Sequence, residues 1–390
     1  MITVDEALDH LFSLVSPLDT ETVPLAEAAG RVLARDALAT RDQPPFAASA
    51  MDGYALAGAA ARPGAEFTVI GEAAAGHGFD GALGPGEALR IFTGAPLPEG
   101  ADRVVMQEDV TRSGARITLG DTIGEGSHVR PAGGDFKVGD RLSAPRRLGA
   151  ADIALLASMN LPMIELRRKP RVALISTGDE LVMPGDTPGP DQIIASNTFG
   201  LKAMLDRLGA EARILPIARD TRASLETAFG LASDADLVIT IGGASVGDHD
   251  LVGAVAAGLG MEQAFYKVRM RPGKPLMAGR MGQAAMVGLP GNPVSAMVCG
   301  HVFVAPMIRA MLGLGAHPAP RQRARLAHDL PEGGPREHYM RADIRDGHIT
   351  PAALQDSALL SVLADANALM IRPADDAPRR AGDEIDYLPL

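Results

Sequence analysis

The chain has 390 residues, which at roughly 150 residues per domain predicts two or three domains. Its 48 acidic residues outnumber its 37 lysines and arginines, and the formal net charge of −11 argues against a general nucleic-acid binder. The single cysteine excludes an intrachain disulfide and a cysteine-rich metal site. An anionic substrate would therefore need a local concentration of basic residues.

In the first half of the chain, predicted helices precede and follow a β-rich region. Thr3 followed by Glu6 has the spacing of a capping box and predicts a helix from the N-terminus, and a second short helix is expected over residues 25–29. Residues 40–146 contain short apolar runs separated by Gly, Pro and Asp, which indicates a β-rich region. A helix is expected again over residues 149–159.

From about residue 170, apolar strands alternate with helices. This pattern predicts a parallel sheet covered on both faces. Asn292 as N-cap and Pro293 at the first helical position begin a long helix that ends near residue 312, with Cys299 as a core residue inside it. The last seventy or so residues alternate as short strands, which indicates a small β-barrel or sandwich.

No segment directs the chain to a membrane or out of the cell. The N-terminus carries Asp5 and Glu6 where a signal peptide needs positive charge. The longest uncharged stretch, residues 293–308, is short for a membrane span of about 20 residues and is expected to be a buried helix. The expected compartment is the cytoplasm.

Polar, Gly-rich segments follow the predicted strands. They are residues 176–180, 219–220, 242–250, 269–275 and 289–293. A single such loop is usually only a turn, but ligands of open α/β sheets bind beyond the carboxyl ends of the strands. Together, the five loops predict a binding site.

Familiar nucleotide and hydrolase motifs are missing. Gly242 and Gly243 do not begin a G-x-G-x-x-G fingerprint, and Lys274 lacks the preceding glycine of a P-loop, since Val268 stands there. The histidines show no zinc spacing, and no G-x-S-x-G elbow occurs. A nucleotide-dependent oxidoreductase is therefore disfavoured.

Basic and acidic residues are both concentrated near these loops. Lys267, Arg269, Arg271 and Lys274 fall within eight residues, which suits an anionic substrate, although a solvated edge strand would have the same pattern. The candidate carboxylates are Asp52, Asp135, Glu180, Asp220, Asp248 and Asp250. Acids and bases together indicate a hydrated Mg²⁺ that bridges phosphate oxygens. The segment 290–295 is a further phosphate candidate, because a helix begins there.

Seven ordered motifs carry a resemblance to a known family. They are Met51-Asp52-Gly53-Tyr54-Ala55, Ile91-Phe92-Thr93-Gly94-Ala95-Pro96-Leu97-Pro98, Arg130-Pro131-Ala132-Gly133-Gly134-Asp135, Ile175-Ser176-Thr177-Gly178-Asp179-Glu180-Leu181, Gly242-Gly243-Ala244-Ser245-Val246-Gly247-Asp248, Met270-Arg271-Pro272-Gly273-Lys274-Pro275 and Gly288-Leu289-Pro290-Gly291-Asn292-Pro293-Val294-Ser295. In this order they resemble the signature of the MoeA-type molybdopterin molybdenumtransferases, which are similar to the E domain of gephyrin.

The resemblance implies a multidomain α/β plus β fold. We expect a segmented N-terminal helical domain (1–39 and 146–168), a β-rich insertion domain (40–145), a three-layer α/β molybdopterin-binding domain with a parallel or mixed sheet (169–316) and a C-terminal β-barrel (317–390). It also implies an enzyme that takes adenylylated molybdopterin and molybdate, uses Mg²⁺ and releases AMP. In this family the cleft of a homodimer lies between the α/β domain of one protomer and the β-rich domain of its mate.

The family's functional residues carry over position by position. Those implied to be catalytic are Asp52, Asp135, Glu180, Asp220 and Asp250, with Glu180 and Asp250 as metal ligands. Those implied to bind substrate are Thr93, Arg130, Ser245, Lys267, Arg271, Lys274, Pro290, Asn292, Pro293, Ser295, Arg341 and Ser361, with Arg341 and Ser361 as the pair that holds molybdate.

Two departures from the family pattern matter. Gly134 stands where a second carboxylate is frequent, and Arg271 stands where Lys is common. A planar guanidinium binds oxyanions differently from an ammonium. Two alternatives stay open: a non-catalytic scaffold of the same fold and a tungsten-inserting paralogue.

Overall fold

The computed structural model describes residues 1–243 and 251–390. These residues form two compact units. The large unit comprises Met1–Glu21, Gly30–Ala34 and Leu166–Leu390, and the small unit comprises Thr22–Ala29 and Arg35–Glu165. The strands Thr20–Pro24 and Met163–Arg167 each contain a boundary between the units, whereas Val32–Leu33 lies within the large unit.

The large unit begins with the predicted capped helix, Val4–Ser13. The Glu6 N–H donates to Thr3 Oγ1 at 3.2 Å, and the Thr3 N–H donates to Glu6 Oε2 at 2.8 Å, which completes the capping box. The apolar face of this helix, including Leu8 and Leu11, is buried in the core of the large unit.

A six-stranded sheet forms the centre of the large unit. Its strands, in spatial order, are Glu211–Ile214, Arg171–Ser176, Leu237–Ile241, Ala284–Leu289, Met277–Met281 and Met261–Tyr266. The first four are parallel, as expected. The strand Met277–Met281 is antiparallel to both of its neighbours, so the sheet is mixed. The sequence pattern did not reveal these last two strands.

Helices cover both faces of this sheet. They are Asn197–Arg207, Arg222–Leu231, Leu251–Gly258 and the long helical segment from Pro293. Val172 and Leu174 belong to the core cluster on one face, whereas Ala173 and Ile175 belong to the cluster on the other, as the two-residue period of a strand requires. The predicted three-layer architecture is confirmed.

One continuous helical segment, Pro293–Met311, is the only one in the described residues long and apolar enough to cross a membrane, and most of it is buried inside the protein. It consists of the α-helix Pro293–Cys299, the π-helical turn Gly300–Val304 and the α-helix Ala305–Met311. Asn292 is its N-cap and Pro293 its first residue, as predicted. Cys299 is completely buried in the core, also as predicted.

The C-terminal strands close into a five-stranded barrel. The strands are Gln322–Leu326, Glu337–Arg345, His348–Pro351, Ala368–Arg372 and Glu384–Pro389, and the helix Leu360–Asp365 packs beside them. Pairing of Glu337–Arg345 with Ala368–Arg372 closes the ring. The two-residue strand Met270–Arg271 extends this sheet, and Leu181–Val182 pairs separately with Ile193–Ile194.

The small unit is β-rich. Its main sheet contains, in spatial order, Arg103–Met106, Gly53–Leu56, Glu87–Ile91, Glu66–Ala73, Arg116–Leu119 and Val110–Ser113. Its other strands are Ala37–Leu38, Ala48–Ser49, Val129–Arg130, Arg141–Leu142 and Arg146–Arg147, and its helix is Ala150–Ser158.

The short helix expected over residues 25–29 was wrong in extent. The segment is a single 3₁₀ turn, Leu25–Glu27, with no side-chain hydrogen bond at its N-cap Pro24. Further 3₁₀ turns are Gly58–Ala60 and Gln107–Asp109.

Candidate active site

A cavity of about 690 Å³ lies at the carboxyl edge of the α/β sheet. The strand register places Ser176, Ile241 and Leu289 side by side, so the loops that follow them begin at one edge. Glu180, Asp220 and Asn292 line this cavity, as do Pro290 and Pro293. The structure thus brings together five of the predicted site residues.

The loop that carries Glu180 is held by Arg219. The Arg219 guanidinium donates to the carbonyl oxygens of Asp179 at 2.9 Å and Leu181 at 3.1 Å. The Asp220 N–H donates to an Asp179 carboxylate oxygen at 3.2 Å, which joins the two carboxylate-bearing loops. The Glu180 and Asp220 side chains are exposed, and therefore accessible to a ligand.

Two glycines allow these loops to approach each other. Gly178 has a φ of +144°, and a Cβ there would lie 2.3 Å from Glu180 Oε2. Gly242 has a φ of +96°, and a Cβ there would lie 2.7 Å from the Thr177 carbonyl oxygen. A side chain at Gly242 would require a shift of the Thr177 backbone, whereas one at Gly178 would require the Glu180 carboxylate to move.

Thr177 presents an unused hydroxyl at the floor of the cavity. The residue is buried, and its Oγ1 has no hydrogen-bond partner among residues 1–243 and 251–390. Buried hydroxyls are normally paired, so this group is an exception beside the cavity.

The start of the long helix is tied to its surroundings. The Asn197 side-chain amide donates to the Gly291 carbonyl oxygen at 2.7 Å, and the Asn292 amide donates to Ser357 Oγ at 3.1 Å. The Val294 N–H donates to the Ser357 carbonyl oxygen at 3.0 Å. Because Pro293 has no N–H, fewer backbone donors are left for a phosphate than the helix start alone suggests. The predicted Ser295 is buried beneath this turn.

The basic segment 267–274 contributes fewer free charges than its composition suggests. Arg269 forms an ion pair with Asp375 at 2.5 Å, whereas Arg271 and Lys274 are exposed. Lys267 Nζ lies 4.9 Å from the centre of the Tyr266 ring. The segment joins Met261–Tyr266 to Met277–Met281, and the pairing of Tyr266 with Met277 puts it at the same sheet edge as the cavity loops.

Arg341 is fully buried in the barrel. Its guanidinium donates to the carbonyl oxygens of Leu354 at 3.1 Å and Asp356 at 3.0 Å, and burial lowers its pKa. Ser361 is exposed on the helix Leu360–Asp365, and no hydrogen bond joins the two within the described part of the chain. Arg341 therefore anchors the loop that contains Ser357.

The predicted residues of the small unit form their own group. Asp52 accepts hydrogen bonds from the Thr93 N–H at 2.8 Å and the Thr93 hydroxyl at 2.9 Å. These bonds lower the pKa of Asp52 below its ordinary value, so its carboxylate is charged at neutral pH. Arg130 ends the strand Val129–Arg130 and Asp135 follows in the next loop, and both side chains are exposed.

Family models match the chain in three consecutive pieces. Residues 2–160 match the MoeA N-terminal region (domain I and II), residues 173–310 a probable molybdopterin-binding domain, and residues 323–390 the MoeA C-terminal region (domain IV). A molybdopterin molybdenumtransferase from a Nostoc species is 36% identical over 100% of this chain and 94% of its own length. One from Haemophilus influenzae is 38% identical over 80% of this chain and 78% of its own length.

The chain belongs to the molybdopterin molybdenumtransferase family. A solved structure of the molybdopterin biosynthesis MoeA protein from Pyrococcus horikoshii superimposes with a TM-score of 0.86 at 30% identity, and covers 100% of this chain and 99% of that chain. The predicted multidomain fold class is thereby confirmed for this family member.

Ser245, Asp248 and Asp250 lie outside the described residues. Within residues 1–243 and 251–390, no group of three or more His, Cys, Asp or Glu side chains is placed to hold a metal ion. Glu180 and Asp220 nevertheless supply exposed carboxylate oxygens to one cavity, and these are the donors that Mg²⁺ prefers alongside water. The donor chemistry of the cavity fits Mg²⁺.

Three residues that hold the loops of this candidate site were missed by sequence reasoning: Arg219, Asn197 and Ser357. Arg219 stood beside the predicted Asp220, so its position was signalled but its function was not. Asn197 was recognised only as the start of a helix. Ser357 lies 65 residues from its partner Asn292, and nothing in its local sequence announces the contact.

Proposed function

We propose that this chain inserts molybdate into adenylylated molybdopterin in the cytoplasm, with Mg²⁺-dependent release of AMP, as the final step of molybdenum cofactor synthesis. Family membership supports the transferase class. The observation that carries the proposal is the cavity in which Glu180 and Asp220 face the loop that begins the long helix. This cavity combines carboxylate oxygens, which can bind a metal ion, with polar loop residues.

The charges of the chain suit such a substrate. Lys267, Arg271 and Lys274 lie at the sheet edge that the cavity occupies and would offset the charge of the phosphates and of molybdate. The exposed carboxylates of Glu180 and Asp220 would repel the same anions if no cation lay between them. An acidic cavity beside a basic segment is therefore consistent with a substrate that arrives with a divalent cation.

Glu180 and Asp220, together with Asp250, would hold Mg²⁺. When bound, this ion polarises the phosphoanhydride and neutralises charge on the departing AMP. The protein's own contribution is to fix the two loops, through Arg219, and to position the pterin phosphate against the helix start.

The deciding experiment incubates the purified protein with adenylylated molybdopterin, Mg²⁺ and either molybdate or tungstate. We expect AMP release that requires the metal and an oxyanion, and we expect chelation of Mg²⁺ to stop it. If neither oxyanion supports AMP release, the protein is a scaffold of this fold and the proposal is wrong. Faster release with tungstate than with molybdate would instead identify a tungsten-inserting enzyme.

We further propose a homodimer in which Asp52 and Asp135 of one protomer complete the site of the other. Asp52→Asn and Glu180→Gln variants, each inactive alone, should then regain activity when mixed, because one site of each mixed dimer contains neither substitution. With random exchange the recovery is about a quarter of the wild-type rate. No recovery in a preparation proven to contain mixed dimers would contradict the shared site.

The four-domain division is also a proposal, with parts 1–39 plus 146–168, 40–145, 169–316 and 317–390. Limited proteolysis should cut first near residues 40, 145 and 317, because connections between domains are more exposed than their cores. Cuts confined to other positions would contradict these boundaries.

A further inference from the structure

Arg90, which is not among the site residues predicted from sequence, lies beside Asp52 in the main sheet of the small unit. It belongs to the strand Glu87–Ile91 and pairs in antiparallel register with Tyr54 of the neighbouring strand. Asp52 directly precedes that neighbouring strand, Gly53–Leu56. Side chains of directly paired residues lie on the same face of a sheet, so the register fixes where the Arg90 side chain begins.

Two aromatic rings hold the guanidinium of Arg90. Its central carbon lies 5.2 Å from the centre of the Tyr54 ring and 4.6 Å from the centre of the Phe92 ring. A cation within about 6 Å of a ring centre is attracted by the ring face. Tyr54 is buried and Phe92 is half-buried, so the protein also holds both rings in place. These contacts restrict the guanidinium to one position.

The guanidinium bridges two strands of the sheet. One of its nitrogens donates to the Gly53 carbonyl oxygen at 3.1 Å, and another donates to Gln107 Oε1 at 2.5 Å. Gln107 directly follows the strand that pairs with Gly53–Leu56 on the side away from Arg90. The Gln107 amide nitrogen donates to Glu108 Oε1 at 3.1 Å, so the amide oxygen is the end that faces the guanidinium. The Arg90 side chain therefore crosses the central strand and ties it to the next one.

This bridge surrounds the backbone of Asp52. The Gln107 N–H donates to the Asp52 carbonyl oxygen at 3.1 Å, next to the Gly53 carbonyl that accepts from Arg90. The Thr93 N–H and hydroxyl both donate to Asp52 Oδ1. Within residues 1–243 and 251–390, Asp52 Oδ2 accepts no hydrogen bond. One carboxylate oxygen is therefore held by the protein and the other is left for a reactant.

The charge of Arg90 acts on Asp52 as well. Both acceptors of the guanidinium are uncharged oxygens, so neither of them cancels its charge. Hydrogen bonds from Thr93 lower the pKa of Asp52, against an opposing effect of burial, and the positive charge of Arg90 lowers it further. The same side chain thus fixes the Asp52 backbone and favours the charged carboxylate.

We propose that Arg90 is a positioning residue of the transferase reaction, whose guanidinium bridges Gly53 and Gln107 and thereby holds the Asp52 carboxylate in its reacting position. This inference rests on the proposed function, in which Asp52 completes the site of the partner protomer. Arg90 acts through Asp52 and not by contact with the substrate. A displacement of about 1 Å at a reacting group can lower a rate by about 100-fold, so a rigid support for Asp52 has a direct effect on turnover.

Three variants test the bridge. Arg90→Met keeps an apolar stem beside the rings but removes the charge and both hydrogen bonds, whereas Arg90→Lys keeps the charge on a group that cannot span both acceptors. Gln107→Met removes one acceptor and leaves Arg90 beside its rings. The matched control is Arg116→Met, because Arg116 is an exposed arginine on the strand Arg116–Leu119 of the same sheet. Circular dichroism at the assay temperature verifies that each variant is folded.

The first measurement is the rate of AMP release at varied concentrations of adenylylated molybdopterin, which separates kcat from KM. We expect Arg90→Met to lower kcat by about 10- to 100-fold and to change KM by less than about twofold, because the groups proposed to bind substrate are unaltered. Arg90→Lys and Gln107→Met should lie between wild type and Arg90→Met, and Arg116→Met should match wild type. A wild-type kcat in Arg90→Met overturns the inference. So does a raised KM at unchanged kcat, or an equal loss in Arg116→Met.

The second measurement does not depend on turnover. Hydrogen exchange of the Thr93 N–H, which donates to Asp52, is followed by mass spectrometry in wild type and Arg90→Met, with the strand Arg116–Leu119 as an internal reference. Loss of the bridge should accelerate exchange at Thr93 by about tenfold and leave the reference unchanged. Equal exchange in the two proteins, or equal acceleration in both segments, contradicts a specific hold of Arg90 on Asp52.

Together, the two measurements distinguish failure of this inference from failure of the proposed function. AMP release by wild type with an unchanged kcat in Arg90→Met leaves the proposed function standing and overturns the inference. If wild type releases no AMP, the proposed function is wrong and Arg90 has no part in that reaction. Selective acceleration of exchange at Thr93 would in that case still uphold the hold of Arg90 on Asp52.

Discussion

The carboxyl edge of the α/β sheet and the rim of the barrel belong to the same unit. The sheet edge carries carboxylates on loops, whereas the barrel rim carries basic side chains on paired strands. At the sheet edge, Glu180 and Asp220 are exposed on loops that glycines allow to pack closely. At the rim, Arg271, His338 and Arg372 are neighbours in a β-ladder. Loop carboxylates can adjust to a ligand, whereas arginines on paired strands keep a fixed spacing. Substitutions on each side should therefore fail in different ways.

The largest effect is expected for Glu180→Gln. Loss of a carboxylate that faces the cavity should reduce AMP release by about 100-fold or more while the protein stays folded, because this loop is held by Arg219 and not by the Glu180 side chain. The assay is the rate of AMP release at saturating substrate. Glu262→Gln, an exposed carboxamide change on the edge strand Met261–Tyr266, is the control and should behave as wild type. Equal rates in the two variants would remove Glu180 from the site.

At the barrel, Arg341→Met should mainly lower stability. The substitution leaves the carbonyl oxygens of Leu354, Gln355 and Asp356 without their donor inside the protein. We expect the free energy of unfolding to fall by about 2–4 kcal/mol, as measured by urea denaturation. Arg325→Met, an exposed change on the strand Gln322–Leu326 of the same barrel, should alter it by less than about 0.5 kcal/mol. Matching midpoints would show that Arg341 does not anchor the loop.

Comparison of Gly178→Ala with Gly185→Ala distinguishes the effect of backbone strain from the effect of displacing the Glu180 carboxylate. In Gly178→Ala, the new Cβ would lie 2.3 Å from Glu180 Oε2, so the carboxylate must move, and AMP release should fall by about tenfold. Gly185→Ala imposes a similarly unfavourable φ, +100°, but its Cβ would meet no atom within 4 Å. Both variants should lose stability, and only Gly178→Ala should lose turnover. A parallel loss of turnover in both would mean that strain alone is responsible.

The smallest effect concerns Asp52, a loop carboxylate that hydrogen bonds hold in place. Because bonds from Thr93 lower its pKa in the folded state, the charged form adds stability above its ordinary pKa of 3.8, and this contribution is lost as the pH falls through the lower folded value. Asp52→Asn should lower the melting temperature by about 1–2 °C at pH 7, and the difference should shrink as the pH falls below 3.8. Thermal scans at pH 7 and pH 3 compare it with Asp121→Asn, an exposed control. A difference as large at pH 3 as at pH 7 would exclude the Thr93 contacts as the cause.

Much of the fold could be predicted from local patterns. Leu237–Ile241 is buried throughout and apolar except for Thr240, because both of its faces are covered, and the capping box at Thr3 marks the first helix. Met261–Tyr266 escaped detection because Glu262 and Gln263 are exposed at the sheet edge and break the apolar run. An edge strand forms hydrogen bonds to a neighbouring strand on one side only, and its exposed residues need not be apolar.

The candidate site also has parts that the sequence predicts and parts that it does not. The loops after Ser176, Ile241 and Leu289 could be placed together because carboxyl ends of parallel strands share one edge. Arg341 was chosen through family resemblance, but its burial and its hold on residues 354–356 depend on a loop that only the folded barrel brings near. Ser357 and Asn292 meet for the same reason. Contacts between distant segments are outside what local spacing can specify.

Cys299, the single thiol of the chain, is sealed beneath the basic segment. Burial raises the pKa of its thiol far above the ordinary value, and a side chain added at Gly273 would collide with its sulfur. A thiol reagent can therefore react only when this part of the core opens. The rate at which Cys299 is labelled therefore reports the rate of that opening. Oxyanions that stabilise the basic segment 267–274 should slow the labelling. Because Cys299 does not react in the folded protein, a cysteine introduced on the surface can be labelled with a fluorophore without first replacing Cys299.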